Sequence, residues 1–202
     1  MNFMLLIPLN ESPSQLSSLR TLQDAFAQVC NALALMVQQS RCWNRVALHH
    51  QAYKQLREQF PAMGSQMVCN AIYSVSRTCR LVYQHPESPF NLSRLNGKAL
   101  PLLRFANTCP VYFDRHTLSV KNGKLSMYTL DGRIHFHVDL RPEDEASFHE
   151  KKLREIALSR TKTGSFELSF LFSIPSPDDA PPAAKVHDSG QIPEYVMIEE
   201  AL

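Results

Sequence analysis

Arg133-Ile134-His135-Phe136-His137-Val138-Asp139-Leu140 is the stretch that decides how this chain is read. Apolar Ile134, Phe136, Val138 and Leu140 alternate with polar Arg133, His135, His137 and Asp139, the period of a strand with one buried and one wet face. Asp131-Gly132 just before it and Asn122-Gly123 upstream are strong hairpin turn signals, since both pairs accept the positive φ of a tight connection. Lys162-Thr163-Gly164 is a weaker signal of the same kind, and Ser165 to Ile174 reads as a long apolar strand. From Leu100 onward the chain is therefore expected to form a small antiparallel β-barrel, with one short helix opening at Pro142 and running to about Ser159.

N-terminal to this block the period lengthens from 2 to 3.6. In Ser12-Pro13-Ser14-Gln15, Ser12 is an N-cap, Pro13 suits the first helical position and Gln15 closes a capping box. Leu16, Leu19, Phe26, Val29, Cys30, Leu33 and Val37 then recur on one helical face. A second helix covers roughly Trp43 to Gln59 and ends at Phe60-Pro61, because the residue before proline is pushed out of the helical region. A third begins near Ser65. On it Val68, Ala71, Ile72, Val75, Cys79 and Val82 share one face, leaving Asn70, Tyr73, Arg77, Arg80 and Gln84 on the opposite, exposed one.

Asn2 to Leu9 has the length of a buried strand, and the barrel is the sheet available for it to join. The three helices are then an insertion after the first strand. The expected fold class is α+β: a small antiparallel barrel, an inserted three-helix bundle and an extended acidic C-terminal tail. The expected bounds are 1–10 for the first barrel strand, 11–90 for the helical domain, 91–175 for the rest of the barrel and 176–202 for the tail. Pro175, Pro177, Pro181, Pro182 and Pro193 among scattered acids mark that tail, and Tyr195 to Leu202 regains an apolar character suited to docking on a partner.

A length of 202 residues with 44% hydrophobic residues supports one or two packed cores and is too polar for a membrane protein. Phe3 to Leu9 is too short to span a bilayer and lacks a basic leader, so a cytoplasmic location without membrane contact is expected. Cys30, Cys42, Cys69, Cys79 and Cys109 include no C-x-x-C pair and read as free thiols. Charge is divided unevenly: residues 1–165 hold 20 Lys and Arg against 12 Asp and Glu, and 166–202 hold 1 against 7. A basic body suits a nucleic-acid partner, although a solvated surface would also carry such charge.

His49 and His50 are neighbours on a helix and face about 100° apart, which rules out shared chelation and favours a surface or RNA-stacking role. His135 and His137 do share a strand face, yet no third ligand stands at a usual spacing, so that face reads as solvated. Glu143, Asp144 and Glu145 sit at a helix start, where acids favour the helix dipole. No phosphate-binding glycine loop, serine elbow or Cys/His nucleophile pattern appears, so no catalytic residue, metal ligand or cofactor is assigned. Cations are more informative. Arg41, Arg45, Lys54 and Arg57 cluster with Trp43 around the second helix, Arg77 and Arg80 line the third, and Lys121, Lys124 and Arg133 lie in the β block. Such side chains hold phosphates, and rings and guanidinium planes stack on bases.

The text Leu48-His49-His50-Gln51-Ala52-Tyr53-Lys54-Gln55-Leu56-Arg57-Glu58-Gln59-Phe60-Pro61, followed by Ser65-Gln66-Met67-Val68-Cys69-Asn70-Ala71-Ile72-Tyr73-Ser74-Val75, resembles the front half of the transposon-encoded TnpB (OrfB) proteins and of the miniature type V CRISPR effectors related to them. The pattern extends to Gln15, Leu19, Phe26, Asn31 and Trp43, and to Val111-Tyr112-Phe113, Leu118-Ser119-Val120 and Phe166-Glu167-Leu168-Ser169-Phe170, covering about residues 3–175. The resemblance implies a wedge-like barrel that holds a guide RNA scaffold and a recognition-like helical insertion that contacts the guide and target duplex. It places DNA motif reading at Ser65, Gln66, Cys69 and Asn70 with Tyr73 adjacent, and near Asp114 at Arg115 and His116. Nothing after Pro175 resembles the family's RuvC nuclease domain or its zinc ribbon.

The expectation is therefore a non-catalytic subunit that binds guide RNA and target DNA, beside a RuvC-like nuclease on a separate chain. A nuclease-free guide-binding protein and a decayed fragment fit the same pattern, and homodimerisation is left open. The alternative from another class is a guide-independent DNA-binding regulator or structural interaction protein derived from a transposon. A weaker third option is a histidine-dependent nuclease using His135 and His137.

Overall fold

The computed structural model of the chain describes residues 2–174 and 190–200. The protein is mixed α+β, and among the described residues every strand pair is antiparallel. Its described residues divide into two compact units: residues 2–22 with 110–174, and residues 23–109 with 190–200.

In the first unit, strand β1 (Asn2–Pro8) pairs with β8 (Phe166–Ser173), so the first strand does join a sheet formed by the C-terminal half. Strand β7 (Lys152–Arg160) and strand β3 (Val111–Phe113) complete a four-stranded sheet in the order β1-β8-β7-β3. Leu5, Ile7, Phe166, Leu168, Phe170 and Phe172 alternate inward and are buried. Helix α4 (Pro142–Glu150) supplies Phe148, whose ring packs edge-on against Phe170 and Phe172 at 5.1 and 5.2 Å.

A second sheet of the same unit is the meander β4 (Leu118–Lys121), β5 (Lys124–Thr129) and β6 (Gly132–His137). Asn122 (φ 50°) and Gly123 (φ 70°) turn β4 into β5, a left-handed pair that asparagine and glycine adopt at low cost. The expected alternation holds: Phe136 and Val138 are buried while Arg133, His135, His137 and Asp139 are exposed.

Two expectations fail here. The sheets do not close into a barrel: β1 and β6 stay unpaired with each other and flank a groove of about 710 Å³ lined by Leu5 to Asn10 and His135 to Leu140. Pro8 stands opposite Glu167 of β8 with its nitrogen on the edge turned away from β8, and a residue without an N–H cannot extend a ladder on that edge. The second failure is the stretch 152–160, expected as the rest of a helix. It is strand β7, because the edge of β8 not taken by β1 presents backbone N–H and C=O groups that a paired strand satisfies, and that tertiary demand outweighs local propensity. A bulge between Leu153 and Glu155 leaves Arg154 free to donate from Nε to Ser173 Oγ at 2.7 Å.

Helix α1 (Pro13–Ser40) runs from the first unit into the second. Its start is the capping box read from the sequence: Gln15 N donates to Ser12 Oγ at 3.3 Å, and Ser12 N donates to Gln15 Oε1 at 2.9 Å. Helix α2 (Arg45–Gln59) is capped by Asn44, whose Oδ1 accepts from the amides of Val46 and Ala47 at 3.1 Å each, a cap worth about 1 kcal/mol. Helix α3 (Ser65–Gln84) is almost wholly interior, with 13 of its 20 residues buried. Asn31 ties α1 to strand β2 (Leu102–Phe105), donating to the Phe105 carbonyl at 3.0 Å and accepting the Phe105 amide at 2.7 Å.

The tail also departs from expectation. Residues 175–189, where most of the Pro-rich acidic segment falls, lie outside the described residues. The segment expected to dock on a partner instead pairs within the chain: strand β9 (Val196–Glu199) lies against β2, with Val196 buried opposite Phe105. Arg104 and Glu199 form an exposed ion pair across that ladder.

Candidate nucleic-acid interface

The near-complete burial of α3 leaves a narrow stripe. Only Ser65, Gln66, Cys69, Tyr73, Arg77, Arg80 and Gln84 keep any substantial exposure, at three- and four-residue steps along the helix. Asn70, expected on the exposed face as a base reader, is only 6% exposed, and its Nδ2 donates to Met67 Sδ at 3.6 Å. Packing surrounds α3 on more sides than its apolar residues alone require, and Asn70 falls just inside the covered sector.

Beside the stripe, α2 contributes its own side chains. The Arg45 guanidinium lies over the half-buried Tyr73 ring, 5.2 Å from its centroid, an arrangement worth about 0.5–1 kcal/mol at an exposed site. His49 stacks on Tyr53 at 4.7 Å and brings Nδ1 to 3.9 Å from Cys69 Sγ, while His50 stays exposed. Lys54 is exposed. Arg57, expected as a phosphate ligand, is half-buried and donates to the Met63 carbonyl, so it closes the turn from α2 to α3. Arg41, just past α1, is exposed and donates to the Lys98 carbonyl at 3.4 Å.

The remaining candidates belong to the first unit. Arg115 and His116 sit exposed in the turn from β3 to β4, where the Asp114 carboxylate accepts the amides of His116 and Thr117 at 3.1 Å each. The strand register puts Lys121, Lys124, Ser126, Tyr128, Arg133, His135 and His137 on one face of the β4-β5-β6 sheet. Sequence spacing named three of these cations separately; only the pairing Lys124↔His137 and Ser126↔His135 unites them with the histidines. Arg133 uses a donor on each of its three nitrogens: Nε donates to Ser126 Oγ at 2.9 Å, Nη2 to the Ser126 carbonyl at 3.2 Å and Nη1 to the His116 carbonyl at 3.2 Å. His137 Nε2 lies 3.2 Å from Asp139 Oδ1. Among the described residues no three His, Cys, Asp or Glu side chains converge to hold a metal ion.

The thiols are free, with Cys30, Cys79 and Cys109 buried and Cys42 and Cys69 half-buried. Burial pushes the Cys79 thiol and the Tyr83 hydroxyl up, and burial followed by the neighbouring Cys109 does the same to Cys30. Cys30 and Cys79 therefore stay protonated at neutral pH and are poor nucleophiles. Among the described residues no helix is long and apolar enough to cross a membrane. No protein-family model matches the chain, and no curated protein matches it.

Proposed function

We propose that this chain is a non-catalytic nucleic-acid-binding subunit that holds guide RNA and recognises target DNA in a complex like those of TnpB and the type V CRISPR effectors, with a RuvC-like nuclease on a separate chain. The observation that carries the reading is the stripe of α3, where a polar start at Ser65 and Gln66 leads into Tyr73 under Arg45, then Arg77 and Arg80. Polar side chains at a helix start reach base edges, and guanidinium groups further along hold the backbone. Three helices inserted between β1 and the remaining strands give additional support, since that is the order the resemblance implies. On this reading the first unit plays the part of the wedge and the α1–α3 helices that of the recognition domain.

The test is the nucleic-acid content of the chain purified at low salt, followed by binding across a salt series. RNA should copurify, and log affinity should fall linearly with log salt as phosphate contacts release counterions. The isolated chain should leave DNA and RNA uncut in magnesium or manganese. Tight duplex DNA binding without RNA would favour the guide-independent regulator instead, and no salt-dependent nucleic-acid binding would reject both.

A further inference from the structure

The second unit contains a cavity of about 340 Å³ where the connection from α1 to α2 meets the last turns of α3. Its wall is Arg41, Cys42, Trp43, Asn44, Arg80 and Gln84. Two guanidinium groups, two carboxamides, an indole and a thiol line it, and no carboxylate does. The framework is fixed: Trp43 packs on Tyr83 with ring centroids 5.1 Å apart, and its carbonyl accepts the Ser76 hydroxyl at 2.7 Å. Asn44 spends Oδ1 on two helix amides, which leaves its Nδ2 as a donor beside the cavity. The wall is thus cationic and rich in donors.

Arg41 adds a second argument. Its backbone is left-handed at φ 53°, and its amide closes the end of α1 on the Val37 carbonyl at 2.8 Å. Glycine is the usual residue at such a helix end, and a side chain there costs on the order of 1 kcal/mol. The position that glycine would fill more cheaply holds a guanidinium that lines this cavity.

We infer that this cavity binds the terminal phosphate of a nucleic-acid strand. A phosphate monoester carries about −1.5 to −2 charge at neutral pH and offers three acceptor oxygens, which two guanidinium groups and flanking amide donors complement. An internal phosphodiester carries one charge and continues in both directions, which suits the open α3 stripe better than a concavity. The inference rests on the nucleic-acid reading above and sharpens it: the stripe holds the strand and the cavity holds its end. A 5′ and a 3′ phosphate share the relevant chemistry.

The experiment is fluorescence anisotropy of the full chain with a single-stranded 20-nucleotide RNA of one sequence, carrying a 5′ phosphate, a 3′ phosphate or hydroxyls at both ends. One phosphorylated form should bind about tenfold tighter than the hydroxyl form, in line with charge-assisted hydrogen bonds, and the preferred form distinguishes the two ends. Arg80→Gln and Arg41→Gly should abolish the preference, while Lys54→Gln should keep it. Arg41→Gly keeps the test clean, because glycine relieves the left-handed strain and the melting temperature should hold or rise. Equal wild-type binding of all three RNAs, or a preference that survives both arginine variants, overturns this inference and leaves the nucleic-acid reading standing. Failure to bind any of the RNAs rejects both.

Discussion

Arg133 and Arg80 are both exposed arginines on surfaces that read as nucleic-acid contacts, and they are built for different work. Arg133 sends all three of its nitrogens into the protein, tying β6 to Ser126 on β5 and to the His116 carbonyl in the turn before β4. Arg80 forms no ion pair among the described residues and stands on the rim of an acid-free cavity. A cation with every nitrogen already held by the protein shapes a surface; one whose donors face water can exchange that water for phosphate. Counting charges treats the two alike, whereas counting uncommitted donors separates them.

The largest effect should come from removing the cations with open donors. Arg45→Ala combined with Arg80→Ala should lower nucleic-acid affinity about 100-fold near 0.1 M salt and reduce the salt slope by about two, the expectation for two lost phosphate contacts. Arg133→Ala should instead lower the unfolding free energy by about 1 kcal/mol, with a smaller affinity loss, because its hydrogen bonds are exposed and structural. Salt-series binding and thermal melts on the same preparations measure both. If Arg133→Ala matches the double variant in affinity while melting like the wild type, the distinction between spent and open donors fails.

The same contrast divides two amides four residues apart. Gln66 is half-buried on the stripe and Asn70 is enclosed. Gln66→Ala should cost about 1–3 kcal/mol on the preferred target-adjacent motif and little on other sequences. Asn70→Ala should cost about 1–2 kcal/mol of stability through lost buried hydrogen bonding, with the motif profile unchanged. A library of target-adjacent sequences read out by binding separates the outcomes. An altered profile for Asn70→Ala at unchanged stability would put the reader back at that position.

What was legible in the sequence follows from how local each signal is. Ser12-Pro13-Ser14-Gln15, Phe60-Pro61 and Asn122-Gly123 act within a few residues, and the helix start, helix stop and hairpin they announce all occur as read. Residues 152–160 and 196–199 were misread because their strands exist only through distant partners, β8 and β2. Asn70 escaped for a related reason. A helical wheel shows which side is most apolar, but not how wide a sector the neighbouring elements will cover. The engagement of Arg133 and Arg57 was likewise invisible, since both end on carbonyl oxygens whose positions depend on turns. The cations of the candidate site could be named from the sequence; which of them stay available could not.

The smallest effect tests the one aromatic seat on the stripe. Tyr73 holds the Arg45 guanidinium over its ring, so part of the arginine's conformational freedom is removed before any ligand arrives. Tyr73→Leu removes the ring while keeping an apolar side chain at a half-buried position. Affinity should fall by about 0.5–1 kcal/mol, the size of an exposed cation–π contact, with the salt slope unchanged because Arg45 keeps its charge. Tyr73→Phe preserves the ring and should bind like the wild type. If Tyr73→Phe loses as much as Tyr73→Leu, the hydroxyl contributes to binding and Tyr73 is more than a ring support for Arg45. If neither variant changes binding, the strand does not run along this part of α3, and the interface is confined to the cationic cavity and the helix start.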